Sequence, residues 1–225
     1  MTETYSTSTF EAVRRAIQNR KTTKVLAASR ATLGPDTLAE VKKCDGKLIE
    51  CIAAAGMAPF HYDRKLHGIP EPWRFYLLNS QRCQQLALNI GQAFDAKEIG
   101  KVVQLLNGCS SLVMVTWLPQ KMDESNGMES EKLTQVNEEH LAASAAAVQN
   151  LLLLCSSLGW ESYWASGGIL THQSVFEELG IPGNEKLLAA VYVDYQLFPS
   201  RDVEIVHGKL RDLRSNFLHW TRIVD

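Results

Sequence analysis

The chain has 225 residues, 45% hydrophobic and 21% charged, with mean hydropathy −0.13, a globular composition long enough to bury a substantial core in one domain, residues 1–225. Its 23 Lys and Arg against 25 Asp and Glu give a formal charge of −2 with no dense basic stripe, which argues against nucleic acid and against anionic membranes as partners. The five cysteines (Cys44, Cys51, Cys83, Cys109, Cys155) form no C-x-x-C pair, so the sequence offers neither a zinc site nor a dithiol redox centre, and reduced thiols in a cytoplasmic setting are expected. Met1 to Thr9 lacks the charged and apolar regions of a signal peptide. The longest apolar stretch, Ala145 to Leu158, is interrupted by polar residues and falls short of the roughly 20 apolar residues of a membrane span.

In chain order, Ser8 followed by Glu11 reads as a capping box, and Phe10, Val13 and Ile17 recur at helical spacing to about Gln18. After the turn at Gly34-Pro35, Asp36 is the expected N-cap of a second helix. A third helical element spans Leu48 to Met57 and is closed by Pro59. Phe60 to Pro70 has no period and reads as a loop leading into a strand from Trp73 to Leu78. Gln81 to Leu106 is helical in composition, with breaks expected at Gly91 and Gly100, and Leu112 to Leu118 is a strand buried on both faces.

Residues 119–136, polar and acidic, read as a flexible excursion. Asn137 to Leu158 is a long helix, apolar almost all round in its second half, whose small residues at Ala142, Ala143 and Ala145 to Ala147 suit close approach of a partner. A short helix bounded by Thr171 and Gly180 and a strand from Lys186 to Gln196 follow. The stretch 198–225 is too apolar to be a free end and is expected to pack on its own or a partner subunit. No repeat, low-complexity tract or interdomain linker is evident.

Chemistry concentrates in a few places. Arg20, Lys21, Thr22 and Lys24 put three cations and a hydroxyl after a helix, and Lys209 with Arg211 forms a second basic pair; in an extended chain that spacing projects both cations to one face. Each run alone is explained equally well by a solvated surface or a helix dipole. Two sequence-distant cationic segments are, however, what a dianionic phosphomonoester needs. Ser166, Gly167 and Gly168 precede a helix where backbone N–H groups can meet a ligand. No G-x-G-x-x-G or P-loop is present, His61, Asp63 and His67 match no metal-ligand spacing, and no nucleophile elbow occurs, so no metal and no catalytic side chain is assigned.

Taken in order, these pieces resemble the FMN-dependent nitroreductase family along nearly the whole chain. The basic and hydroxyl motif is similar to Arg20, Lys21, Thr22 and Lys24; a helix ending in A-P and an E-P-W-R-F segment match Ala58-Pro59 and Glu71 to Phe75. The family's central-helix pattern matches Ala143 to Gly159 with Gln149-Asn150-Leu151, and Ser166-Gly167, Ile181-Pro182, Lys209, Arg211 and His219-Trp220 complete the series.

The resemblance implies an α+β fold with a central, mainly antiparallel sheet flanked by helices, a long buried central helix and a C-terminal extension. It implies a homodimer with FMN at the interface, Arg20, Lys21, Thr22, Lys24, Lys209 and Arg211 around the FMN phosphate and pyrimidine ring, and Ser166 and Gly167 at the flavin N5 edge. The activity implied is ping-pong hydride transfer from NAD(P)H, a transient reductant, through flavin N5 to a nitroaromatic, quinone or related small-molecule acceptor. A specialised flavoenzyme of the same fold, a dehalogenase or biosynthetic oxidase, and a low-turnover FMN-binding dimeric protein are the alternatives. The sequence departs from the family at Ile69-Pro70-Glu71-Pro72, where amides are usual, in the length of the loop before it, and at Asp194-Tyr195, where G-Y-P is frequent.

Overall fold

In the computed structural model, which describes residues 7–30, 33–124, 127–197 and 202–224, the elements run α1 (Thr7–Asn19), β1 (Thr23–Leu26), α2 (Pro35–Ala55), β2 (Trp73–Leu78), α3 (Ser80–Ala93), α4 (Ala96–Ile99), α5 (Val102–Gly108), β3 (Ser111–Trp117), α6 (Ser130–Ser157), β4 (Glu161–Ala165), α7 (Gln173–Leu179), β5 (Lys186–Asp194) and β6 (Glu204–His207). The three apolar runs expected to be strands, β2, β3 and β5, join β4, which the sequence reading left unassigned, in a four-stranded antiparallel sheet in the order β2-β3-β5-β4. β3 lies inside it, and Ser111 to Thr116 are all buried, as the apolar run required. Alternation then divides the core. Tyr76, Leu112, Met114, Ala190 and Tyr192 face α3, α5 and α7, while Phe75, Val113, Val115, Val191 and Val193 face α2 and α6. Each fully buried Leu, Val or Met on these faces contributes about 1.5 to 3 kcal/mol. This is the α+β arrangement of a mainly antiparallel sheet flanked by helices.

Several boundaries differ from the sequence reading. α1 begins at Thr7, so Ser8 lies inside the helix rather than capping it. The second and third helical elements are one helix, α2: Gly34 is its N-cap, Pro35 takes the first position where no amide hydrogen is needed, and Asp36 sits in the first turn. It closes at Gly56, before Pro59. Gly91 does not interrupt α3, because its Cβ position is open and the helix simply runs through it; the break comes at Phe94 and Asp95, where Asp95 and Glu98 form a capping box, and again at Gly100 with φ +54°.

α6 starts at Ser130 and spans 28 residues, so the last seven residues of the expected excursion are helical. Leu133, Val136, His140, Ala143, Ala147, Leu151 and Cys155 carry a buried stripe back through that first part. By length and composition alone α6 could cross a membrane, but in this fold that stripe packs inward, and Leu141 and Ala142 remain on an exposed side. The final expected strand ends at Asp194 rather than Gln196.

The two shortest strands, like β4, were not expected. β1 and β6 pair antiparallel as a separate ribbon, Thr23 opposite His207 and Leu26 opposite Glu204. The ribbon is fastened to the main body where Ala27 N–H donates to the Gln104 carbonyl at 3.0 Å and where β1 crosses Gly108. A Cβ at Gly108 would penetrate the Val25 carbonyl, which is backbone and has no rotamer to escape into.

Gly108→Ala is therefore expected to lower stability by about 1 to 3 kcal/mol, roughly 2 to 10 °C in Tm, despite the better helix propensity of alanine. An unchanged Tm in a thermal scan would show that β1 is free to move away.

Candidate functional site

The site begins with the chain leaving α1. Arg20 N–H closes the last helical turn onto the Ala16 carbonyl, and the next three residues enter β1. At the other end of the sequence β6 runs back along β1, and Gly208 N–H donates to the Thr22 carbonyl at 2.9 Å. This register delivers the second basic segment to the first. Lys209 begins a 3-10 turn, Leu210–Leu213, so this segment is not extended as its spacing suggested. The turn swings Arg211 back until its guanidinium donates to the Arg20 carbonyl, a contact between residues 191 apart. Lys209 stays exposed, while Arg20, Thr22, Lys24 and Arg211 are half-buried.

Burial pulls the Arg20 guanidinium below the usual arginine range, and the neighbouring guanidinium groups of Arg211 and Arg214 pull it further. Arg214 was not singled out in the sequence; a 3-10 turn brings positions three apart onto one side, which nothing in the local composition signals. Among the described residues, the ion pairs join Arg14, Lys43, Lys47, Arg64, Lys65 and Arg82 to carboxylates, and none includes Arg20, Lys21, Lys24, Lys209, Arg211 or Arg214. Half-buried Arg20 and Arg211 with exposed Arg214 beside them, like charges paired with no carboxylate among the described residues, are an electrostatic cost to the fold, and an anion relieves it.

From this cluster β1 leads toward the end of β4. Lys24 Nζ lies 4.7 Å above the Tyr163 ring, and Tyr163 stacks on Tyr192 with centroids 6.1 Å apart. β4 then ends at Ala165, followed by exposed Ser166 and buried Gly167. Gly167 has φ +106°, and a side chain there would run into Leu187 on β5. Thr23 Oγ1 lies 3.3 Å from His207 Nδ1 across the ribbon, a pairing only the register creates. The structure thus joins Arg20 to Arg211 directly and Lys24 to β4, while Lys21 and Lys209 contribute exposed cations at the margin.

The loop before Glu71 is held by a residue the sequence did not flag. Arg64, buried, donates through Nε to the Leu118 carbonyl at 2.9 Å and through Nη2 to the Pro119 carbonyl at 3.1 Å, and it pairs with Glu124. Arg74 donates to the Glu71 and Trp73 carbonyls, fixing the E-P-W-R-F segment, whose Trp73 is buried among Ala58, Ala143 and Ala147. Lys65 and His67 take positive φ in this loop. His61 stacks edge-on against Tyr62, and Asp63 accepts from the Lys65 amide. Among the described residues no group of three His, Cys, Asp or Glu could hold a metal ion.

Comparison with known proteins agrees with this fold. The family model described as "Nitroreductase family" matches residues 45–195, more than half of the chain; Ser166 and Gly167 fall within the match, and both basic segments lie outside it. YfhC of Bacillus subtilis (strain 168), which carries an NAD(P)H nitroreductase name, is 28% identical over 131 residues, covering 57% of this chain and 65% of that protein's length. The crystal structure of a nitroreductase-like family protein from Bacillus cereus superposes with TM-score 0.62 at 19% identity, covering 100% of both chains. That of a nitroreductase with bound FMN from Bacteroides fragilis gives TM-score 0.52 at 21% identity over 95% of this chain and 98% of the other. The matched residues and the sheet-and-helix arrangement together establish that the chain belongs to the nitroreductase family.

Proposed function

We propose that this protein is an FMN-dependent oxidoreductase that takes hydride from NAD(P)H and passes the electrons to a nitroaromatic, quinone or related small acceptor. The observation that carries this reading is the gathering of Arg20, Arg211 and Arg214 with no carboxylate paired to them among the described residues, and with Lys24 further along β1 beside β4. These residues fit FMN. A terminal phosphate dianion answers the guanidinium groups, and a ring with an electron-accepting pyrimidine side answers Lys24. The family membership and the FMN in the Bacteroides fragilis structure support the same choice.

In this reading Arg20, Lys21, Thr22, Lys209 and Arg211 hold the phosphate, Lys24 reaches the pyrimidine side, and backbone groups of Ser166 and Gly167 meet the N5 edge. FMN, when bound, supplies a ring that accepts hydride at N5. The chain's own share is placement and electrostatics. Lys24 sets positive charge where the reduced ring carries negative charge, and the bend at Gly167, where Leu187 leaves room for no side chain, presents backbone there. No side chain is assigned as general acid or base.

The second subunit is proposed from apolar surface. Phe10, Val13 and Ile17 expose the face that should be the buried stripe of α1, and Leu213, Phe217, Trp220, Ile223 and Val224 are exposed along the tail, Trp220 at 71% and Val224 at 91%. So much apolar surface at both ends of the chain, next to the cations, suits a homodimer whose cofactor lies at the interface. The loop pinned by Arg64 favours a second reading, a flavoenzyme of the same fold restricted to one substrate, because it leads straight into Glu71 and gives that wall a fixed shape.

Arg20→Ala and Arg211→Ala are expected to weaken FMN binding by about tenfold or more, measured by fluorescence titration, with the far-ultraviolet circular dichroism unchanged. Unchanged affinity in both variants would remove the phosphate-site assignment. Reconstituted with FMN under anaerobic conditions, the protein should be yellow and should bleach on addition of NADH or NADPH; a protein that takes up no FMN contradicts the whole reading. Sedimentation should give a dimer, and Trp220→Ser should shift it toward monomer.

A further inference from the structure

The chain leaving α7 encloses a cavity that the proposed reaction does not use. α7 stops at Gly180, which takes φ +67°, and the Ile181 N–H donates back to the Phe176 carbonyl at 2.8 Å. The Glu185 N–H then closes a turn onto the Pro182 carbonyl at 3.0 Å, and the chain enters β5. Between α7 and the start of β5 this leaves a cavity of about 550 Å³, walled by Phe176, Ile181 and Leu187 and carrying Gln173, Glu177 and Glu185 as polar groups. That volume suits a small molecule. Thr171 and Leu187, both on its wall, are the side chains that a Cβ at Gly167 would strike, so the cavity lies on the side-chain side of that bend.

Glu185 brings a carboxylate into this place at only 7% exposure. Its Oε2 accepts from the Tyr76 hydroxyl at 2.9 Å and from Thr116 Oγ1, which stand on β2 and β3. Burial, that hydrogen bond and the Glu185 charge all push the Tyr76 hydroxyl above the usual tyrosine range, so it stays protonated and donates. Oε1 accepts from no described residue, and none of the ion pairs among the described residues includes Glu185. The other polar side chains of the wall are already engaged. Thr171 Oγ1 donates to the Gly168 carbonyl at 2.9 Å, Gln173 Nε2 donates to Glu177 Oε1 at 2.7 Å, and the Lys186 ammonium lies over the Trp117 ring, 5.7 Å from its centroid. A buried carboxylate on the cavity wall thus keeps one oxygen without a donor and its charge unanswered, which costs the fold until a donor arrives.

We infer that this cavity binds a small organic cation, a primary ammonium group carried on an apolar or aromatic body. The ammonium donates to Glu185 Oε1 in a charge-assisted hydrogen bond, and Phe176, Ile181 and Leu187 cover the body. Glu177, exposed at the rim, adds a second negative charge that favours a cation and repels phosphate, so neither a nicotinamide dinucleotide nor FMN suits this cavity. A metal ion fits no better, because among the described residues no three His, Cys, Asp or Glu gather to hold one. The inference stands apart from the flavin reading.

The test titrates the full-length protein, with and without added FMN, with phenethylamine and with 2-phenylethanol near neutral pH in a calorimeter. The two probes share a shape and differ in charge. The amine should bind about tenfold or more tightly than the alcohol, and equally with and without FMN, so a failure of the flavin reading leaves this result standing. Glu185→Gln keeps an acceptor for Tyr76 and Thr116 and should remove the preference for the amine. Gly183 also lines the cavity and has nothing within 4 Å of its Cβ position, so Gly183→Trp is compatible with the fold and should weaken both probes. Equal affinity for the two probes, a preference retained in Glu185→Gln, or unchanged binding in Gly183→Trp would overturn the inference. So would amine binding confined to a Trp220→Ser monomer, which assigns the cavity to a cation of the second subunit.

Discussion

The pairing of β1 with β6 is the constraint from which the rest of the site follows. Four residues on each side, read antiparallel, decide that the start of the chain and its end share one surface. A two-stranded ribbon of that length has little stability of its own in water. It persists because β1 is fastened through Ala27 to α5 and pressed against Gly108, and because Val206 packs on the core cluster beneath it. The ribbon thus converts core packing into the position of charged groups, and the packing offsets the repulsion of gathering several cations that pair with no carboxylate among the described residues.

The same geometry explains why the sheet was legible in the sequence and the ribbon was not. β2, β3 and β5 carry apolar runs whose period and β-branched content admit one reading. β1 and β6 are four residues each, and β6 is polar at both ends; their identity comes from each other, across almost the full length of the chain. Helix ends failed for a related reason. A glycine such as Gly91 ends a helix only where the chain must turn, while Phe94 and Asp95 end one because the capping groups are there to satisfy the freed amides. The N-terminal part of α6 looked like loop because its polar residues outnumber the buried stripe that holds it.

For the proposed site, residue type and order pointed to Arg20, Lys24, Gly167 and Arg211 before any geometry was known, and the fold brings Arg211 to Arg20 and Lys24 to β4. Arg64, Arg214 and Arg30 were invisible. What distinguishes each is the set of partners it meets: carbonyls at the end of β3 for Arg64, the Arg20 guanidinium for Arg214, and for Arg30 the Leu106 and Cys109 carbonyls at the end of α5 with Ser80 Oγ at the start of α3.

The tail gives the arrangement a thermodynamic consequence. Arg211 and Arg214 sit on the same short stretch as Phe217, Leu218 and Trp220, so whatever fixes the apolar residues also fixes the cations. With a second copy covering that stretch as proposed, cofactor uptake and subunit association are linked equilibria, and each strengthens the other by an equal free energy. Affinity for the cofactor then depends on protein concentration: dilution loosens it without any change at the site, and saturating cofactor holds together a pair that would otherwise separate.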